Sequence, residues 1–124
     1  LAEASDQRHA AAWANLRAAW VLDDECKDEL ARGCRSKAAD TFLALLSAGH
    51  PFAAQPGVSE AIVTDCLRRA GRGAEALPVI EKALGQSCDD SICRILQFQR
   101  LLVQRGDTGR HLISEALETK QTTA

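Results

Sequence analysis

The feature that most constrains the fold of this chain is a helical hairpin pattern that repeats along the sequence. Apolar residues recur at the three- and four-residue spacing of an amphipathic helix, and glycine turns separate consecutive stretches of this pattern. Gly71 and Gly106 lie 35 residues apart, and each stands between two such stretches. Because one hairpin cannot bury both faces of its helices, repeated hairpins are expected to stack on one another. The spacing therefore predicts an all-α protein.

The helical stretches pair into three hairpins, which cover roughly residues 6–48, 58–84 and 90–118 of a single domain spanning 1–124. Gly49-His50-Pro51 ends the first hairpin, and the segment from Phe52 to Gly57 is predicted to be a linker. The chain is long enough to bury a core of its own. We therefore predict a right-handed α-solenoid of three helix-turn-helix hairpins, with about six helices.

Large and small side chains alternate between the two helices of each hairpin. Trp13, Leu16 and Trp20 supply large side chains from the first helix of the chain. A small residue at the facing position of the second helix would let the two backbones approach closely. In the three hairpins these small residues are Ala38, Ala76 and Gly109.

Trp13-Leu16-Trp20, followed by Ala38 and Phe42, resembles the tetratricopeptide repeat, whose period is about 34 residues. The segment from Gly71 through Glu75-Ala76-Leu77 to Ala83-Leu84 is similar to the turn and second helix of that family. The repeats depart from the family pattern at Glu60, Thr64 and Gln99. The resemblance implies a concave groove lined by the first helices and a role as a scaffold that binds a protein or peptide.

The resemblance also implies which polar side chains face that groove. The arginines on this face could pair with carboxylates through their forked guanidinium groups. We therefore expect a partner segment that is acidic or that ends in a C-terminal carboxylate. The candidate peptide-binding residues are Asp65, Arg68, Arg69, Arg100 and Gln104.

Three of the five cysteines are interpreted as structural. Cys26, Cys34 and Cys66 lie on apolar helical stripes and are predicted to be core residues, because a buried thiol behaves as a small hydrophobe. The odd number of cysteines favours reduced thiols. A disulfide between Cys88 and Cys93 is an alternative. Four-cysteine zinc sites use two tight pairs, and Cys26 and Cys34 are too far apart in sequence to supply the second one, so we predict no metal site and expect folding to need neither metal nor disulfide.

The composition narrows the class of partner. The formal net charge of −2 and the absence of a basic stretch argue against a nucleic-acid partner. No apolar run reaches the roughly 20 residues of a membrane span, so no membrane partner is expected. His9, His50 and His111 are scattered and are predicted to be ordinary surface or helix-end histidines. We accordingly expect neither catalytic residues nor a cofactor, and a cytoplasmic location.

Two main functional hypotheses follow. A third and weaker one, a helical enzyme, would need a deep polar pocket. The first is a protein- or peptide-binding scaffold. The second is a dimerisation or docking segment of a larger bacterial enzyme or regulator, since the chain starts at Leu1 without methionine and is expected to be a fragment. Leu112 and Ile113 on the last helix are predicted to stay partly uncovered, which indicates a homodimer or docking to another part of the parent chain.

Overall fold

The computed structural model describes residues 2–86 and 89–118, and this part of the chain is entirely helical and loop. The helices are α1 (Ala2–Asp24), α2 (Asp28–Ser47), α3 (Val58–Arg69), α4 (Gly73–Leu84), α5 (Asp90–Gln104) and α6 (Ile113–Glu118). The predicted all-α class is thus confirmed. Within the described ranges, every helix is too short or too polar to cross a membrane.

Consecutive helices pack as neighbours along the chain. Helix α1 packs against α2, α3 against α4, and α5 against α6, which gives three pairs of consecutive helices. The pairs are joined by further packing of α2 on α3, α4 on α5, and α3 on α5. Each hairpin therefore buries apolar surface against the next, as expected for units that cannot bury both faces alone.

The helix ends share one local geometry. Gly49, Gly71 and Gly106 adopt left-handed φ values of 78°, 80° and 68°, which glycine reaches without the steric penalty of a Cβ atom. After Gly71, the backbone N–H of Arg72 donates to the Leu67 carbonyl at 2.7 Å. This bond satisfies a carbonyl that the end of a helix leaves without a partner.

Cys26 occupies the same kind of position at the end of α1. Its φ is 59°, and the N–H of Lys27 donates to the Leu22 carbonyl at 2.8 Å. The prediction that Cys26 belongs to the core is wrong, because the turn between α1 and α2 leaves its side chain exposed. Cys34 is half-buried and Cys66 is buried, so the core prediction holds fully for Cys66 alone.

The small residues predicted at helix contacts behave differently in the three hairpins. Ala38 and Ala76 are completely buried, as predicted. Gly109 is exposed in the loop before α6, and its assignment as the matching residue is wrong. The reason is local: its N–H donates to the Asp107 carboxylate at 2.8 Å, and its carbonyl accepts from Arg68 at 2.8 Å. These bonds hold the loop out of a helical conformation, so α6 starts only at Ile113.

Substituting Ala76 with leucine is expected to lower the free energy of unfolding by about 1–3 kcal/mol, because extra methylenes overpack a completely buried contact. Urea denaturation measures the effect. Ala74→Leu is the matched control, since Ala74 lies on the same helix with its side chain exposed. Equal midpoints for the two variants would contradict the packing argument.

The predicted linker after α2 is packed into the structure. The ring of Phe52 stacks on that of Phe42, with 4.2 Å between centroids, and meets Trp13 edge-on at 6.3 Å. The N–H groups of Phe52 and Ala53 both donate to the buried hydroxyl of Ser59 at 3.0 Å. This segment therefore fixes α1 and α2 relative to the start of α3.

Candidate functional site

An apolar groove of about 570 Å³ runs across the molecule and is lined by residues of α1, α3, α5 and α6. Apolar side chains from separate helices converge there because each helix turns one part of its apolar stripe toward this face. We call it the apolar groove. The lining side chains used below are Trp13, Trp20, Asp65, Cys66, Phe98, Gln99, His111, Leu112, Ile113 and Ala116.

Large apolar side chains are exposed along this groove. Trp20 is 48% exposed, Leu112 57% and Ile113 65%, and all three line it. The prediction that Leu112 and Ile113 cannot both be covered is confirmed, because α6 is short and packs on α5. Contiguous exposed apolar surface of this kind usually marks an interaction site.

A smaller polar pocket of about 350 Å³ adjoins the apolar groove. The two share Trp20, Asp65 and His111. Its charged lining mixes both signs, so the pocket has no strong preference for an anion or a cation. These charged residues are Asp23, Asp24, Asp65, Arg69, Arg110 and His111.

Asp23 organises the inner wall of the polar pocket. It accepts two hydrogen bonds from Arg35, at 2.9 and 2.5 Å, and its carboxylate lies 3.6 Å from Arg69. The hydrogen bonds from Arg35 lower the pKa of the Asp23 carboxyl, against the opposing effect of burial. Asp23 therefore stays ionised at neutral pH and engages both guanidinium groups.

The structure brings only part of the predicted peptide-binding set together. Asp65 and Arg69 both line the polar pocket, and Asp65 also lines the apolar groove. Arg100 pairs with Glu81 of α4 at 3.0 Å, and Gln104 is exposed near the end of α5. Arg68 is 1% exposed, so its guanidinium is not on the surface of the groove.

Arg68 instead joins three segments of the fold. Its Nε donates to Gln99 Oε1 at 2.8 Å, and its Nη2 donates to Asp65 Oδ1 at 3.1 Å. Its Nη1 donates to the backbone carbonyls of Asp107 and Gly109, both at 2.8 Å. The guanidinium thus satisfies groups from α3, α5 and the loop before α6, which is a structural role.

His111 lies where the loop after α5 meets α6. Its Nε2 is 2.8 Å from Asp107 Oδ2, and its Nδ1 is 2.6 Å from Glu115 Oε2. Its ring also meets Phe98 edge-on, with 5.6 Å between centroids. The hydrogen bond to Glu115, helped by the one to Asp107, raises the pKa of His111. Spacing alone could indicate the contact with Asp107 and Glu115, since each lies four residues away.

Two cysteines of the described chain, Cys66 and Cys93, have little reactive chemistry. Burial raises the pKa of the Cys66 thiol to about 12, so this groove-lining residue is protonated and a poor nucleophile at neutral pH. Cys93 is disulfide-bonded, and the expectation of reduced thiols is wrong for this residue. Cys88, its suggested partner, lies outside the described residues. Among the described residues, no group of three His, Cys, Asp or Glu side chains could hold a metal ion.

Comparison with known proteins gives no match: neither protein-family models, nor curated protein sequences, nor solved structures show significant similarity to this chain.

Proposed function

We propose that this chain is a protein-binding module whose apolar groove accepts an apolar segment of a partner. The observation that carries the proposal is the exposure of Trp20, Leu112 and Ile113 along one groove. Removing such side chains from water on binding is favourable in proportion to the apolar area covered. Aromatic anchors such as Trp20 often contribute much of the binding free energy.

The resemblance to the tetratricopeptide repeat supports the same proposal. A right-handed stack of three hairpins would present α1, α3 and α5 on one concave face, and residues of these three helices line the apolar groove. Binding of peptides along such a surface is the usual role of helical-repeat scaffolds. We therefore retain this arrangement as part of the proposal.

The partner segment proposed here is apolar, whereas the sequence alone suggested an acidic one. Arg68 is committed to the fold, Arg69 lies near Asp23, and Arg100 pairs with Glu81. Arg68 and Arg100 are therefore poor anchors for a carboxylate, and Arg69 shares the Asp23 carboxylate with Arg35. The partner segment expected here therefore has apolar side chains that face the groove.

Binding is favoured over catalysis because His111 and Cys66, the best candidates for a catalytic base and a nucleophile in the groove, are both poorly suited to these roles. Both ring nitrogens of His111 are engaged by carboxylates, so the ring has no nitrogen to accept a substrate proton unless a contact breaks. Cys66 is held as a neutral thiol by burial. The groove is accordingly proposed as a binding surface.

Selection of peptides from a displayed random library against the intact chain tests this proposal. Selected peptides should carry clustered apolar residues and should lose roughly three- to tenfold in affinity when Leu112 is changed to glutamine. Leu112 is more than half exposed, so Leu112→Gln should leave the fold intact. Fluorescence anisotropy with a labelled peptide measures the affinity.

Leu30→Gln is the matched control. Leu30 is 61% exposed, like Leu112, but lies on α2 and does not line the apolar groove. Peptides that bind both variants equally well would place the binding surface elsewhere. Light scattering over a concentration series tests the alternative that the chain is a dimerisation segment. A homodimer that buries the groove would dissociate in Leu112→Gln and persist in Leu30→Gln.

A further inference from the structure

His111 bridges two carboxylates at the junction between α6 and the loop that precedes it. Asp107 lies in the loop before α6 and Glu115 lies on its first turn, so the imidazole ties the loop to the helix. The residues that follow His111 directly, Leu112 and Ile113, are part of the wall of the apolar groove. Ala116 of α6 lines the same groove and is buried. The position of α6 therefore shapes the groove.

The chemistry of imidazole makes this bridge depend on protonation. A carboxylate accepts hydrogen bonds, so each ring nitrogen must carry a hydrogen to bond its own carboxylate. Only imidazolium has hydrogens on both nitrogens, whereas neutral imidazole has one. When His111 loses its proton, either the Asp107 or the Glu115 contact loses its hydrogen bond and sets a lone pair against an anion.

We propose that protonation of His111 locks α6 in place as a wall of the apolar groove, and that deprotonation releases this wall and weakens binding there. The proposal rests on the proposed function for its effect on binding, but the movement of α6 does not depend on any ligand.

Within the described residues, packing on α5 is the main contact left to hold α6 after the release. Helix α6 has six residues, fewer than an isolated helix needs to be stable, and packs on α5. Arg68 anchors the Asp107 and Gly109 carbonyls, which lie before His111 in the chain. The loop would thus stay anchored at its start while residues 111–118 become free to move.

The charged surroundings of His111 favour its protonated form. Glu115 and Asp107 contact the ring directly and raise its pKa. The folded pKa therefore exceeds the unfolded one, so the contribution of the bridge is complete below the unfolded value of about 6.5 and is lost as pH rises through the folded value. The charged groups that face this region are Asp23 and Asp24 of α1, Asp65, Arg68 and Arg69 of α3, Arg105, Asp107 and Arg110 of the loop, and Glu115 and Glu118 of α6.

The first experiment follows α6 by NMR in the intact chain without ligand. The methyl signals of Ile113 and Ala116 should shift with pH at the same midpoint as the His111 ring carbons. Glu115→Gln should abolish this shift while His111 still titrates, because a glutamine amide can donate to neutral Nδ1 and keep both contacts. His50→Gln is the control, since it removes an exposed histidine elsewhere and should leave the methyl titration unchanged. Methyl signals that ignore the His111 midpoint, or that titrate equally in Glu115→Gln, would overturn the proposal.

The second experiment measures binding of the neutral apolar dye Nile red to the groove. Affinity should fall by roughly three- to tenfold between about pH 5.5 and about pH 9, which corresponds to the net contribution of one typical hydrogen bond. The Glu115→Gln variant should show less than half of this change. Dye that binds equally to Leu112→Gln and the parent chain would refute the proposed function, yet the methyl titration would still decide the movement of α6. Dye that needs Leu112 but binds equally at both pH values would refute the switch alone.

Discussion

Replacing Arg68 with methionine is expected to lower the free energy of unfolding by about 3–5 kcal/mol, because several acceptors lose their donor at about 1–3 kcal/mol for each one that stays buried. Arg68 is 1% exposed and donates to Asp65, Gln99 and two backbone carbonyls. Methionine fills similar space but donates to none of these acceptors. Urea denaturation followed by circular dichroism measures the loss.

Arg100→Met is the matched control for this substitution. Arg100 forms its ion pair with Glu81 near the surface, where such pairs contribute less than about 1 kcal/mol. Similar losses in the two variants would show that Arg68 is not the structural link described above. Because Arg68 supports the fold, replacing it cannot separate a loss of partner binding from a loss of folding. Leu112 is exposed, so Leu112→Gln tests partner binding in the folded protein.

Replacing Phe42 with alanine is expected to cost about 3–5 kcal/mol in the free energy of unfolding, through lost burial and the cavity left behind. Phe42 is completely buried on α2. Its ring stacks on Phe52 and meets Trp13 edge-on at 5.4 Å, so the substitution removes the centre of an aromatic cluster. Thermal or urea unfolding gives the value.

Phe42→Leu provides the comparison within the same site. Leucine keeps most of the apolar volume and should cost less than half as much as alanine. If both variants lost the same stability, the aromatic contacts and not the cavity would dominate. If neither lost stability, the loop that carries Phe52 would not be packed on α2 as described.

The prediction of helices succeeded because helix formation is encoded locally. Apolar spacing and terminal glycines depend on residues within one or two turns of each other, and Gly49, Gly71 and Gly106 do end helices in left-handed geometry. The same local reasoning predicted that Ala38 and Ala76 would be buried. It failed for Cys26, because an exposed turn with a left-handed residue can interrupt a stripe that still looks periodic.

The candidate site could be predicted only in part. Of the five predicted peptide-binding residues, Asp65 alone lines the apolar groove. The apolar character of the groove was not predicted, because the sequence indicates solvent exposure for arginines on a helix surface. Arg68 is buried because Gln99 and the loop carbonyls of Asp107 and Gly109 cover it, from positions 31 to 41 residues away.

By itself the sequence determined the all-α class, the places where most helices end, and the excess of apolar side chains on α6. Tertiary structure decided which charges remain available, how the groove is shaped, and that His111 ties its loop to α6 beside that groove. The physical reason is the range of the interactions. Backbone hydrogen bonds and apolar periodicity act within a few residues, whereas desolvation and ion pairing of a side chain depend on whichever distant segment packs over it.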